Sequence, residues 1–164
     1  MPVADLAILA LIGQQAWTGR RVGFVMGVFQ LVVTVASIVA ALVFEEPVGL
    51  ALDDVMPLDA GTRRLVVFAI ISTAASYGFG FIGGRILGPL MARQARSRAT
   101  VALDRALGLV PAAVRGVVYA GSMVYMARIA LPEDHDVRVQ LATSVLAPIA
   151  EAVFTAVTPF ARAL

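Results

Sequence analysis

The chain has no cysteine, no lysine and one histidine, and only 15% of its 164 residues are charged. Without cysteine there is neither a structural disulfide nor a thiolate nucleophile, and nothing reports on redox compartment. Without lysine the glycine-rich phosphate loop that ends on Lys-Ser/Thr cannot be built. One histidine cannot supply the paired imidazoles of an H-E-x-x-H helix, and no G-x-S-x-G nucleophile turn occurs. These absences lead to the expectation of a protein with no enzymatic activity and no cofactor. His135, beside Glu133, Asp134 and Asp136, has donors suited to a cation. Neighbours on one loop rarely converge on a single ion, so the run is read as a solvated acidic turn and no metal is expected.

What the chain does have is apolar side chain: 60% of it, before its 14 glycines are counted, with a mean hydropathy of +0.88. Soluble domains are about 45–50% apolar with glycine included and about 25% charged. One soluble domain of this length could not hide so much apolar surface in its core. The 13 basic residues are all arginines scattered between apolar runs. They form no basic face interleaved with aromatics, so nucleic acid is not an expected partner. In a lipid bilayer the same arginines set topology instead.

A helix needs about 20 apolar residues to cross about 30 Å of hydrocarbon. Residues 22–44 give 23 positions without a charge, residues 65–84 give 20, and residues 107–131 give 25 interrupted only by Arg115 and Arg128. A weaker segment, residues 3–18, carries Asp5, Gln14 and Gln15. It lacks the positive start of a secretory signal and is read as a span. The expected fold class is all-α: an integral membrane bundle of four transmembrane helices, residues 1–131, followed by an extracytoplasmic amphipathic tail, residues 132–164. In the tail, Leu141, Val145, Leu146, Ile149, Val153, Val157, Phe160 and Leu164 follow helical spacing, which reads as a helix lying on the outer leaflet. A fifth span is the rival. A short outer helix is expected from Pro47 to Pro57, with Asp59-Ala60-Gly61-Thr62 as loop and cap, and a helical polar connection from Met91 to Arg105.

Seven arginines fall in the first and third connections and five on the other face, together with nearly all the acids. This bias places those two connections in the cytoplasm and both termini outside. Arg63 and Arg64, directly before the third span, oppose it.

Small residues recur every fourth position: Gly19, Gly23 and Gly27; Ser72, Ser76, Gly80, Gly84 and Gly88; Gly108, Ala112, Gly116 and Ala120. In lipid such faces allow the close backbone approach that holds helices together. Gly27, Ser76, Gly80, Gly84 and Ala112 are accordingly read as helix-packing positions, for self-association or for another membrane protein. Arg115 lies about 12 Å inside its span, and an intramembrane arginine requires a partner. The candidates are helix carbonyls, Gln14, Gln15, Gln30, or a lipid phosphate reached by snorkelling. The expectation favours an anchoring role, because no acid sits at matching depth.

The order of features is then familiar. Asp5 stands in a short first span, Arg21-Val22-Gly23-Phe24 follows, and Asp104-Arg105-Ala106-Leu107-Gly108-Leu109-Val110-Pro111-Ala112-Ala113-Val114-Arg115-Gly116 resembles the D-R-x-x-G-x-x-x-G-x-x-R-G signature of the colicin V production protein (CvpA) family. Ser144-Val145-Leu146-Ala147-Pro148 is similar to that family's closing segment. The resemblance marks Asp5, Arg21, Gly23, Phe24, Asp104, Arg105, Gly108, Arg115 and Gly116 as functional candidates. Two departures stand out: Gly27 occupies the place of a family glutamate, and Ala112 that of a glycine.

The resemblance implies a small four-span protein of the bacterial inner membrane, linked to production or export of a peptide toxin and to envelope homeostasis. Two classes of function stay open: a non-enzymatic scaffold or accessory subunit, and a small channel or transporter with a polar path near Arg115. Transport calls for polar residues converging at mid-depth. The spans offer only Thr34, Ser37, Ser72, Thr73 and Ser76 there, which favours the scaffold.

Overall fold

A computed structural model describes the backbone of residues 2–92, 98–156 and 158–159, and the side-chain surroundings of these residues apart from 87–92 and 98–100. Every regular element among them is a helix. The elements are α1 (Val3–Val22), α2 (Phe24–Ala51), α3 (Ala60–Ala92), α4 (Arg98–Leu107), α5 (Leu109–Ala130), α6 (Asp136–Ala142) and α7 (Leu146–Thr155).

Helix α1 stops at Gly23, whose φ of 87° and ψ of 169° lie in a region essentially reserved for glycine. The chain reverses there and α2 begins at once. The separate outer helix expected to open at Pro47 does not form. Instead Pro47 lies inside α2, which runs on to Ala51. A proline there removes one helical hydrogen bond, but the helix end is held by Glu45, which accepts a hydrogen bond from Arg64 of α3 at 2.8 Å. The cap expected before the third span is present: the amide of Thr62 donates to Asp59 at 2.9 Å. That bond and the Thr62 hydroxyl hold the Asp59 carboxyl below its usual range. The Met91–Arg105 connection is helical where described, as the end of α3 and as α4; residues 93–97 lie outside the described residues. His135 of the acidic turn caps α6, its Nδ1 accepting from the Val137 amide at 3.2 Å.

Helices α2, α3 and the joined α4–α5 segment are long and apolar enough to cross a membrane, and the chain is a multi-pass membrane protein. Helix α1 is 20 residues long, about the length of a span at 1.5 Å per residue, but is not apolar enough to be counted with the other three. Helix α5 is the hub, touching α1, α2, α3 and α7. Two apolar clusters flank it: Ile8, Ala120, Val124 and Ala150 on one side, Ile38, Phe68, Val118 and Phe154 on the other.

The tail is not one surface helix. Helices α6 and α7 meet at a 90° bend, and α7 docks on α5. Its inward face is Ala147, Ala150 and Phe154, whereas Val145 and Ile149, expected on the apolar face laid against the outer leaflet, are 68% and 55% exposed. The two alanines let α7 approach α5 closely, and Phe154 fills the core beside Tyr125. Val157, Phe160 and Leu164 lie outside the described residues.

Candidate functional site: a polar cleft around Arg115

Two of the three small-residue faces meet. A Cβ placed on Gly108 would lie 2.6 Å from the Gly19 carbonyl oxygen and 2.7 Å from the Gly23 carbonyl carbon, and one on Gly116 would lie 2.9 Å from the Ile12 Cα. Gly19 in turn presses on Ala112 and the Gly108 carbonyl, and Gly23 on the Asp104 carboxylate. Helices α1 and α5 therefore cross with their backbones in contact, and only residues without a side chain permit it.

That crossing delivers Gln15 of α1 to Arg115 of α5. The Nη2 of Arg115 donates to Gln15 Oε1 at 2.6 Å, and its Nη1 donates to Gln30 Oε1 of α2. The guanidinium is thus fixed sideways inside the bundle, seven residues beyond Gly108 or about 10 Å along the helix. This corrects the anchoring expectation: Arg115 does not snorkel along its own helix but forks between two neighbours. Its Nε is buried with no hydrogen-bond partner among the described residues.

Beside the fork lies a cavity of about 210 Å³ bounded by Phe29, Gln30, Thr34, Ser76, Arg115 and Tyr119. A second, of about 330 Å³, is bounded by Ser72, Thr73, Ser76, Tyr77, Tyr119 and Ser122. They share Ser76 and Tyr119 as walls and form one cleft between α2, α3 and α5. The Thr34 hydroxyl lies 2.9 Å from the Gln30 carbonyl oxygen, to which it donates, and 3.3 Å from the Tyr119 hydroxyl. Of the five polar positions named from the sequence, four line the cleft; Ser37 instead donates to the Val33 carbonyl within α2 at 2.7 Å.

A model of the family described as colicin V production protein matches residues 4–155. The chain belongs to this family. No curated protein and no solved structure matches it.

The residues that resemble the colicin V production signature do not form one site. Gly23, Asp104, Gly108, Arg115 and Gly116 gather where α1, α2 and α5 meet. Arg21, Phe24 and Arg105 are exposed at that end. Asp5 lies at the other end of α1, 2% exposed, accepting from the Ser144 hydroxyl at 2.5 Å and the Leu146 amide at 3.1 Å at the start of α7. Gly27, where the family often has glutamate, faces Pro111, whose Cγ would stand 2.9 Å from an added Cβ. An added side chain there would press on the Pro111 ring.

The third small face finds no neighbour among the described residues. A Cβ on Gly80 or Gly84 would touch nothing within 4 Å, and Ser76 opens into the cleft. The surroundings of Gly88 lie outside the described residues. Against the described residues this face of α3 makes no packing contact, which leaves it for the self-association or partner expected from the sequence, whereas Gly27 and Ala112 pack within the bundle.

Sequence reasoning named Gln15 and Gln30 as partners for Arg115 but missed Tyr119, Ser122 and the buried Glu45. Tyr119 is four residues from Arg115 on the same face, a spacing that could have found it. The Glu45–Arg64 pair and its neighbour, in which Arg63 meets Asp53, give partners to the two arginines directly before the third span. Arg128, near the end of its span, pairs with Glu151 of α7 at 3.1 Å.

Proposed function

We propose that this protein serves toxin export and envelope homeostasis as a non-enzymatic protein of the bacterial cytoplasmic membrane, and that its working part is the cleft at Arg115, which holds a polar group within the bilayer. The supporting observation is convergence. Gln30, Thr34, Ser76, Arg115 and Tyr119 line one cleft from three helices, and Gln15 of a fourth holds the Arg115 guanidinium beside it. An intramembrane charge held among polar walls is the usual mark of a solute or ion path. The few polar residues of the spans, whose scarcity favoured a scaffold, are concentrated instead of scattered.

The arginine bias supports cytoplasmic first and third connections with both termini outside. Arg63 and Arg64, which oppose the bias, are paired with Asp53 and Glu45.

The scaffold reading rests on one feature, the outward face of α3, where Tyr77, Ile82 and Ile86 are exposed and could meet a second copy or another envelope protein. Substitution separates the two. In a strain lacking the gene, Ser76→Phe fills the cleft and Gly84→Phe alters the outer face. The cleft reading expects loss of complementation for Ser76→Phe at normal membrane abundance, with Gly84→Phe active. The opposite pattern would return the function to the scaffold.

A further inference from the structure

Arg115 is oriented but not neutralised. Gln15 and Gln30 each offer a neutral amide oxygen, and these occupy two of the five N–H donors of the guanidinium. None of the residues lining either chamber of the cleft is acidic. The one position where the family often places an acid on α2 is Gly27, closed off by Pro111. A cation withdrawn from water without a counter-charge is strongly disfavoured, and the chain supplies no such charge from its described residues.

We propose that the cleft binds an oxyanion of the phosphate class, with Arg115 as its counter-charge; this rests on the cleft being the working part. Arg115 lines the inner chamber and has N–H donors beyond the two given to the glutamines. Ser76, which makes no hydrogen bond with other described residues, lies between the chambers, and Thr73, Tyr77 and Ser122 continue the hydroxyl lining. Donors on both α3 and α5 suit a tetrahedral group with several acceptor oxygens. A planar carboxylate would be satisfied by a guanidinium fork alone. The two sources of such a group are a lipid headgroup that enters sideways past the exposed Tyr77 and a free solute.

The test is thermal unfolding of the full-length protein in neutral detergent with three probes: short-chain phosphatidate, diacylglycerol of the same chains, and inorganic phosphate. Phosphatidate is expected to stabilise the protein at a concentration at least about tenfold below diacylglycerol, the scale of one charge-assisted contact. Stabilisation by phosphatidate alone assigns the site to a headgroup; stabilisation by inorganic phosphate assigns it to a soluble oxyanion. Arg115→Gln should abolish either response. Ser76→Phe, which keeps the arginine and its fork, should do the same and decides the matter if Arg115→Gln does not fold. Equal stabilisation by diacylglycerol, no response to either phosphate probe, or full responses in Ser76→Phe would overturn the proposal. If Ser76→Phe fails to complement while no oxyanion binds, the cleft remains the working part and only the ligand class falls.

Discussion

Asp5 and Ser144 are 139 residues apart in the chain and 2.5 Å apart in space. The serine hydroxyl donates to the buried carboxylate and accepts from the Ala147 amide at 2.9 Å, while the Leu146 amide donates to Asp5 directly. The first helix of the protein thus caps the last described one. Amide hydrogens that no preceding turn can satisfy find their acceptors on another helix.

Removing that acceptor should release α7. Asp5→Ala is expected to destabilise the protein by about 1–3 kcal/mol, the cost of a lost cap with a charged acceptor. Asp5→Asn should cost less, since it retains one oxygen. Thermal midpoints in detergent measure the difference, and limited proteolysis after Leu131 should become faster for the alanine variant. Equal midpoints for wild type and Asp5→Ala would remove the capping role.

The glycines divide into two classes. Gly108→Ala sets a methyl group against the backbone of Gly19 and Gly23, and overpacking of this kind costs about 1–3 kcal/mol. Gly84→Ala meets nothing within 4 Å and should be neutral or slightly stabilising through its better helix propensity. Membrane abundance and unfolding midpoints check both, and a destabilised Gly84→Ala would mean that a partner covers α3.

Arg115→Lys should not rescue the fork. An ammonium is a point charge and cannot present the planar pair of donors that reaches Gln15 and Gln30 together. Loss of one charge-assisted bond corresponds to about 1.5–3 kcal/mol. The lysine variant should insert but unfold at a lower temperature. Wild-type stability would restore the anchoring role.

At the far end of α2 and α3, Glu45 is buried and Arg64 is partly exposed. Removing the arginine leaves a carboxylate stranded in the bundle, whereas removing the glutamate leaves a guanidinium that can turn to water. Arg64→Ala should therefore be the more damaging change, toward the upper part of the roughly 3–5 kcal/mol range for broken buried pairs, with Glu45→Ala well below it. Chemical unfolding of the two variants and of the double variant measures the coupling. Equal losses would contradict the asymmetry.

Reporter fusions at Gly61, Arg96 and Leu164 test the topology. Fusions at Gly61 and Leu164 should report an extracytoplasmic location and the fusion at Arg96 a cytoplasmic one. The reverse pattern would invert the bundle.

Local physics made much of this protein legible in its sequence. Long apolar runs identified α2, α3 and α5 because a bilayer admits little else. Asp59 announced a helix start because a cap acts on its own next turn. Gln15 and Gln30 stood out as partners for Arg115 because the apolar spans offer few other polar groups. Tertiary structure decided what depends on helix rotation and on which neighbour is met. The face of α5 at Gly108, Ala112 and Gly116 and the face of α3 at Ser76, Gly80 and Gly84 have the same spacing, yet only the first packs against another helix. Periodicity defines a face but not the direction it looks. The Asp5 cap, the Glu45–Arg64 pair and the cleft each join side chains from different helices, and only the crossing of backbones at Gly19, Gly23 and Gly108 brings α1, α2 and α5 close enough for Arg115 to reach both glutamines.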